Sequence, residues 1–383
     1  MNALRNIPIA LPMLGEEERT AVQKPLETGW LTQGPFVAEF EKSFAERHKV
    51  AHAYATTSCT TATHLALVAA GVGPGDEVIV PAFTWVSTAN VVLYCGAKPV
   101  FADVLTSDFN IDPEDIAHRV TDRTKAIIPV HLFGLCADMD AVKSAIPKNI
   151  VVIEDAACAA GASYKGTPAG ALGDMAAFSF HPRKSITTGE GGMITTQNAD
   201  YGNLVDMLRN HGASISEEQR HHGLRPYILP EFNLMGFNYR MTDLQGAVGV
   251  EQLKKLDRFI AERDQAAKFY SEALADIEWL RTPKVPEHCT HAWQSYVTYV
   301  DPKSAPMPRN DMMDALKNLG VATRPGTHAV HMLGVHSEMQ GLKSEDYPGA
   351  KAADQNSMAI PLHNRMSQDD YEYVVDALKS LGK

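Results

Sequence analysis

The sequence predicts an α/β protein: a large domain with a mostly parallel sheet flanked by helices, followed by a smaller α/β domain. Two patterns carry this expectation. Between residues 50 and 200, short β-branched runs alternate with helix-like segments, as strands joined by crossover helices do. From about Thr242 the period becomes helical, with Leu253, Leu256 and Ile260 recurring at spacings of three and four among Lys, Asp and Glu. A chain of 383 residues, 45% hydrophobic and 21% charged, is long enough for two packed domains. They are expected at residues 1–250 and 251–383, with the N-terminal segment free to pack on the smaller one.

The runs are "DEVIVPAFTW", "KPVFADV", "TKAIIPVHLFG", "NIVVIEDAA", "AAFSF" and "GGMITTQ". Each ends in polar or small residues. Ligands in open α/β sheets collect beyond the carboxyl ends of strands, so Thr84 and Trp85, His131, Glu154 and Asp155, and Ser179 and His181 become the first candidates. Thr242 to Ala275 predicts a long connecting helix. After it, "WQSYVTYVD" predicts a strand, and "RNDMMDALKNLG" a helix capped by Asn310 or Asp311 and stopped by Gly320. "SQDDYEYVVDALKSLG" predicts a last helix opened by Ser367.

Composition excludes several classes. A formal net charge of -11 argues against a nucleic-acid partner, which needs a surplus of Lys and Arg. Five cysteines, at 59, 95, 136, 158 and 289, form no close pairs and suggest reduced thiols in a cytoplasmic protein. Pro8 and Pro12 interrupt the apolar patch near the amino terminus, so no signal peptide is expected. No apolar run reaches the roughly 18 residues of a membrane helix. No metal site is expected: HExxH is absent, and neither "HH" at 221–222 nor "HAVH" at 328–331 has further ligands beside it.

The stretch "FSFHPRKSITTGEGGMITT", residues 178–196, places Lys184 after a strand-like run and before a glycine cluster. Arg183 stands where a P-loop would need glycine, which excludes that reading. A surface loop lysine is the ordinary alternative, but the apolar flanks and Gly189, Gly191 and Gly192 favour a desolvated Schiff-base lysine. Pyridoxal phosphate would also need a carboxylate for its pyridine nitrogen, donors for its phosphate and a flat group against its ring. Asp155, closing an apolar strand, answers the first need, with a helix cap as the plainer role. "ATTSCTTATHLAL" opens an apolar helix with hydroxyls and answers the second, or is simply an N-cap. Trp85 is the stacking candidate, although a lone aromatic is more often core.

Taken together, "GWLTQGPFVAEFEKSFAE", "GVGPGDEVIVPAFTWVSTAN", "VIEDAA", "FSFHPRKSITTGEGGMITT", "GFNYRMTDLQGAVGVEQL" and a closing "IPLH" resemble the DegT/StrS-type sugar aminotransferases nearly end to end. These are pyridoxal-phosphate enzymes of the aspartate aminotransferase fold, fold type I. The resemblance implies that Lys184 forms the Schiff base and moves the proton, that Asp155 holds the pyridine nitrogen protonated, and that Trp85 stacks on the ring. It implies that Ser179 and the segment Ser58, Cys59 and Thr60 bind the phosphate. Asn238 would reach the phosphate across the interface of a homodimer with shared active sites. Arg209, His211, Arg240, Arg324 and His331 are the cations considered for substrate or donor carboxylate.

Two departures stand out. Cys59 replaces a glycine common in the phosphate turn, and "EDAACAAGA" carries Cys158 and Ala160 where relatives often have glutamine and histidine. No role is transferred to Cys158: a buried small apolar filler is the favoured reading and a reactive thiol the alternative. The implied reaction moves an amino group from an amino acid, by resemblance L-glutamate, through pyridoxamine phosphate to a keto or aldehyde sugar for cell-surface polysaccharide or lipopolysaccharide. A nucleotide-linked keto-deoxyhexose is the first expectation for the acceptor, and an oxidised 3-deoxy-octulosonate (Kdo-type), aminated to the 8-amino sugar, is the second. A sugar dehydratase would carry histidine in place of Lys184, and a non-catalytic sensor would lose Lys184 or Asp155. Both residues are present.

Overall fold

The alternating runs assemble into a seven-stranded sheet in the computed structural model, which describes residues 5–215 and 227–382. In chain order its strands are β1 (His52–Thr56), β2 (Glu77–Pro81), β3 (Lys98–Ala102), β4 (Thr124–Ile127), β5 (Val151–Asp155), β6 (Met175–Ser179) and β7 (Gly192–Thr196). The spatial order is β1-β7-β6-β5-β4-β2-β3, and β7 alone runs against the others. Val78, Ile79 and Val80 are all fully buried. That explains the continuous apolar runs, because a parallel sheet is covered on both faces.

Strand β1 was not among the runs read as strands. Its "HAYAT" has low strand preference, and its state is decided by antiparallel pairing along β7, from His52↔Thr196 to Thr56↔Gly192. Helix α1 (Pro35–His48) packs beside it, and α2 (Cys59–Ala69) crosses the sheet with seven of its eleven residues buried. Helix α3 (Ser87–Tyr94) follows the end of β2. The long helix forms as α4 (Asp243–Ala273), opened by a reciprocal Thr242–Gln245 capping box.

The C-terminal region builds a three-stranded antiparallel sheet from β8 (Leu280–Arg281), β9 (Tyr296–Val300) and β10 (Ser357–Ile360). Helix α5 (Arg309–Asn318) starts after Pro308, so neither Asn310 nor Asp311 caps it. Proline at the cap already fixes the backbone angle that leads into the helix. Helix α6 (Gln368–Ser380) opens at Ser367 with a capping box to Asp370. The core of this region holds Tyr270, Tyr296, Leu316, Met358 and Leu378, and Ile7 joins it while pairing with Val321. Helix α4 serves both cores: Leu256 and Phe259 pack under the large sheet, Ala267 and Tyr270 in the C-terminal core. Among the described residues, no helix is long and apolar enough to cross a membrane.

Candidate active site

The carboxyl ends of β5 and β6 lie side by side and set the site. Asp155 is the last residue of β5 and is 6% exposed. Its Oδ2 accepts from Thr88 Oγ1 at 2.8 Å and its Oδ1 from the Ala157 amide at 3.2 Å, while Cys59 Sγ lies 3.9 Å from Oδ1. The preceding acid, Glu154, faces the other way, as alternation along a strand requires. It is fully buried and accepts from the amides of Gly170, Leu172 and Gly173 and from His131 Nε2. Neighbouring carboxylates thus have separate jobs: Glu154 organises a buried loop, and Asp155 faces the site.

Lys184 lies in the turn after β6, where its amide bonds to His181 O at 2.8 Å. Its Nζ donates to Cys158 Sγ at 3.1 Å. Burial works to lower its pKa, yet the net direction is upward, because Cys158, Cys59 and Asp155 all favour the ammonium. Cys59 shows the opposite balance: burial, then Asp155, pushes its thiol well above the usual range.

Helix α2 brings its N-terminus to the same place. Ser58 caps it, its Oγ accepting from the Thr61 amide at 3.2 Å, while Thr61 Oγ1 donates to Ser58 O at 2.8 Å. The first-turn amides of Cys59 and Thr60 have no acceptor within the helix, and the helix dipole adds positive potential there. Cys59 has ordinary helical backbone, so this position does not require glycine. The close approach falls instead on Gly192, paired with Ser179, where a Cβ would collide with the backbone of Ser58 and Cys59. Ser179 Oγ accepts from the His181 amide at 3.4 Å. Trp85 is 58% exposed, with its ring edge-on to His328 at 5.4 Å, and its carbonyl accepts from the Thr88 amide.

The candidate cations separate. Arg324 Nε is buried without a hydrogen-bond partner, and the residue forms no ion pair among the described residues. It lies within electrostatic reach of Cys158 and Arg183, and burial draws its pKa down. Arg209 is corrected from a substrate candidate to a structural one: it is 2% exposed and bonded to Glu41, Asp206 and the carbonyl of Ala55. His331 is likewise a packing residue, fully buried against Tyr347 and Phe101. His211 and Asn238 are exposed, and Arg240 bonds to Asn210 Oδ1 at 2.8 Å in the same segment. His221 and His222 lie outside the described residues.

Sequence reasoning missed Thr88, Cys158 and Gln294, whose Nε2 holds Arg183 O at 2.8 Å beside the lysine. The Thr84–Thr88 spacing of four, with hydroxyls 3.2 Å apart, was the signal available for Thr88. The assembled groups fit a flat, phosphorylated pyridine aldehyde: a half-buried amine, a carboxylate held by a hydroxyl, and an anion-binding helix start.

The family model of the DegT/DnrJ/EryC1/StrS aminotransferase family matches residues 12–379. The chain belongs to this family. Its relatives include the spore coat polysaccharide biosynthesis protein SpsC of Bacillus subtilis, 40% identical over 98% of this chain and 97% of the relative. GDP-perosamine synthase of Caulobacter vibrioides is 39% identical over 99% of each chain. Among solved structures, Spr1654 of Streptococcus pneumoniae, assigned as a sugar aminotransferase, matches in its pyridoxamine-phosphate form with a TM-score of 0.92. That match is at 28% identity and covers 98% of this chain and 99% of the other. The same protein in its pyridoxal-phosphate form gives 0.91. This DegT-family chain is therefore an aminotransferase of fold type I.

Proposed function

We propose that this sugar aminotransferase uses pyridoxal phosphate to move an amino group from L-glutamate to the carbonyl of a sugar destined for a cell-surface polysaccharide. The observation that carries the reading is the meeting of Lys184, Asp155 and the α2 N-terminus at the carboxyl edge of β5 and β6. When bound, the cofactor supplies an electron sink for the carbon that loses or gains a proton. Asp155, held by Thr88, is the carboxylate that would hold the proton on a pyridine nitrogen. Lys184 carries the cofactor, and its freed amine takes and returns the proton at the substrate carbon. The Cys59 and Thr60 amides with Ser58 and Ser179 hold the phosphate.

A nucleotide-linked keto-deoxyhexose is the favoured acceptor, in keeping with the relative named GDP-perosamine synthase. One observation favours the Kdo-type acid as the second reading: Arg324, half-buried, has a buried Nε without a hydrogen-bond partner and no acidic partner among the described residues, within electrostatic reach of Cys158. Such a group is stabilised by a ligand carboxylate, which glutamate brings and a keto acid sugar would bring as well. We further infer a cytoplasmic homodimer with shared sites. Phe232 and Met235, 60% and 87% exposed, form an apolar run leading to exposed Asn238 and suit burial by a second copy.

The test is spectroscopic. The visible band of cofactor bound to Lys184 should bleach with L-glutamate and return with one member of a panel of nucleotide-linked keto sugars and oxidised octulosonates. No band with excess pyridoxal phosphate would remove the role of Lys184. A band that glutamate leaves unchanged would remove the donor.

A further inference from the structure

Cys158 is a thiol for which the proposed reaction has no use, yet Lys184 Nζ donates to its Sγ at 3.1 Å. Both groups sit in turns at the carboxyl edge of the sheet and are only partly buried. Arg324 adds a second cation within electrostatic reach of the sulfur. Burial pushes the thiols of Cys59 and Cys136 well up, that of Cys95 up to about 11, and that of Cys289 up. The thiolate is the form that reacts with oxidants; burial disfavours it at those four, while Cys158 Sγ accepts from the Lys184 amine at 3.1 Å.

We propose that Cys158 and Lys184 form an oxidative modification site, at which hydrogen peroxide converts the pair into a sulfenamide bridge and removes the reactive amine. The inference rests on Lys184 being the amine that carries the cofactor. In the first step the Sγ thiolate attacks one peroxide oxygen: an S–O bond forms and the O–O bond breaks. The leaving hydroxide takes a proton from the Lys184 ammonium and departs as water. Sulfur has then lost two electrons to peroxide, and Nζ is left neutral beside a sulfenic acid, a species that condenses with nucleophiles. In the second step Nζ attacks Sγ, the S–N bond forms, the S–O bond breaks, and hydroxide leaves with an amine proton as water. Thiol, amine and peroxide give sulfenamide and two waters, and the protein loses two hydrogens. Two equivalents of a thiol reductant reverse the bridge and leave as a disulfide.

The same geometry dictates when the bridge forms. With cofactor attached to Lys184, no nucleophilic amine is available. Glutamate frees that amine, so the amino form of the enzyme is the sensitive one.

The experiment treats the holoenzyme with hydrogen peroxide, with and without L-glutamate, then alkylates free thiols and maps tryptic peptides by mass spectrometry. The expected result is a cross-linked peptide joining Cys158 to Lys184, two hydrogens lighter than its parts. Its yield should rise with glutamate or after cofactor removal, and it should disappear with dithiothreitol. Cys59→Ala should retain it and Cys158→Ala should lose it. Cys158 found as sulfinic or sulfonic acid beside an unmodified Lys184 would overturn the proposal, as would a Cys59–Cys158 disulfide or an unmodified Cys158. Because the bridge is read by mass, its absence leaves the glutamate-dependent spectral change standing. A bridge yield that rises on cofactor removal but not with L-glutamate would count against the donor alone.

Discussion

Asp155 and Glu154 are adjacent acids with opposite surroundings, so removing their charges should have opposite consequences. Asp155→Asn keeps a partner for Thr88 but cannot hold a proton on a pyridine nitrogen. Both half-reactions should slow by roughly 100-fold with the fold intact, measured by single-turnover kinetics and thermal melting. Glu154→Gln should do the reverse, because three backbone amides and His131 converge on that carboxylate. We expect a loss of about 2 kcal/mol or more in stability, read from urea unfolding, with a smaller kinetic effect. Arg324→Ala removes the half-buried guanidinium within electrostatic reach of Cys158, and KM for glutamate or for an acidic acceptor should rise roughly 10- to 100-fold. Unchanged KM values for both would assign Arg324 to packing.

The N-terminus of α2 combines two functions in one element, and they separate on mutation. Ser58→Ala should cost about 1 kcal/mol of stability through the lost cap. If the first turn also holds phosphate, cofactor retention measured by dialysis should fall by more than the stability change explains. This element was legible because Ser-Cys-Thr-Thr before an apolar run reads as a helix start. The strand ends carrying Asp155 and Ser179 were legible for a related reason: strands buried on both faces leave continuous apolar runs whose polar endings mark the edge. Strand β1 was not, because its alanines carry little strand preference and the hydrogen bonds to β7 decide its state. Thr88 carried only the weak signal of its spacing from Thr84, since its partner Asp155 lies 67 residues away. The contact of Cys158 with Lys184 was not legible, because it joins turns after two different strands. Arg209 shows the converse: a cation in a promising motif is neutralised by Glu41, from a distant helix.

At the scale of the whole molecule, two buried imidazoles tie stability to pH. Burial draws His48 down to about 4 and His291 to about 3, the first stacked on Phe44 and the second on Trp293. Their folded values lie below the unfolded value of about 6.5, so the unfolded chain takes up protons first as pH falls. Their contribution is complete above about 6.5 and is lost as pH falls through the folded values, on the order of 2 kcal/mol or more for each. The urea midpoint should therefore drop between pH 6.5 and 4, and His48→Phe should make that drop shallower. Assembly gives a sharper test. If Asn238 serves the partner's site, a dimer of one Lys184→Ala chain and one Asn238→Ala chain contains one site with both defects and one with neither. Random mixing makes half the dimers of this kind, each with one intact site, so activity should recover to about a quarter of the native level. If Asn238 instead serves its own chain, each site in the mixed dimer carries one defect and mixing restores nothing. Titrating one variant against the other, with total protein held constant, distinguishes the two: a maximum at equal amounts means sites shared between chains, and a straight line between the parental activities means sites built by one chain alone.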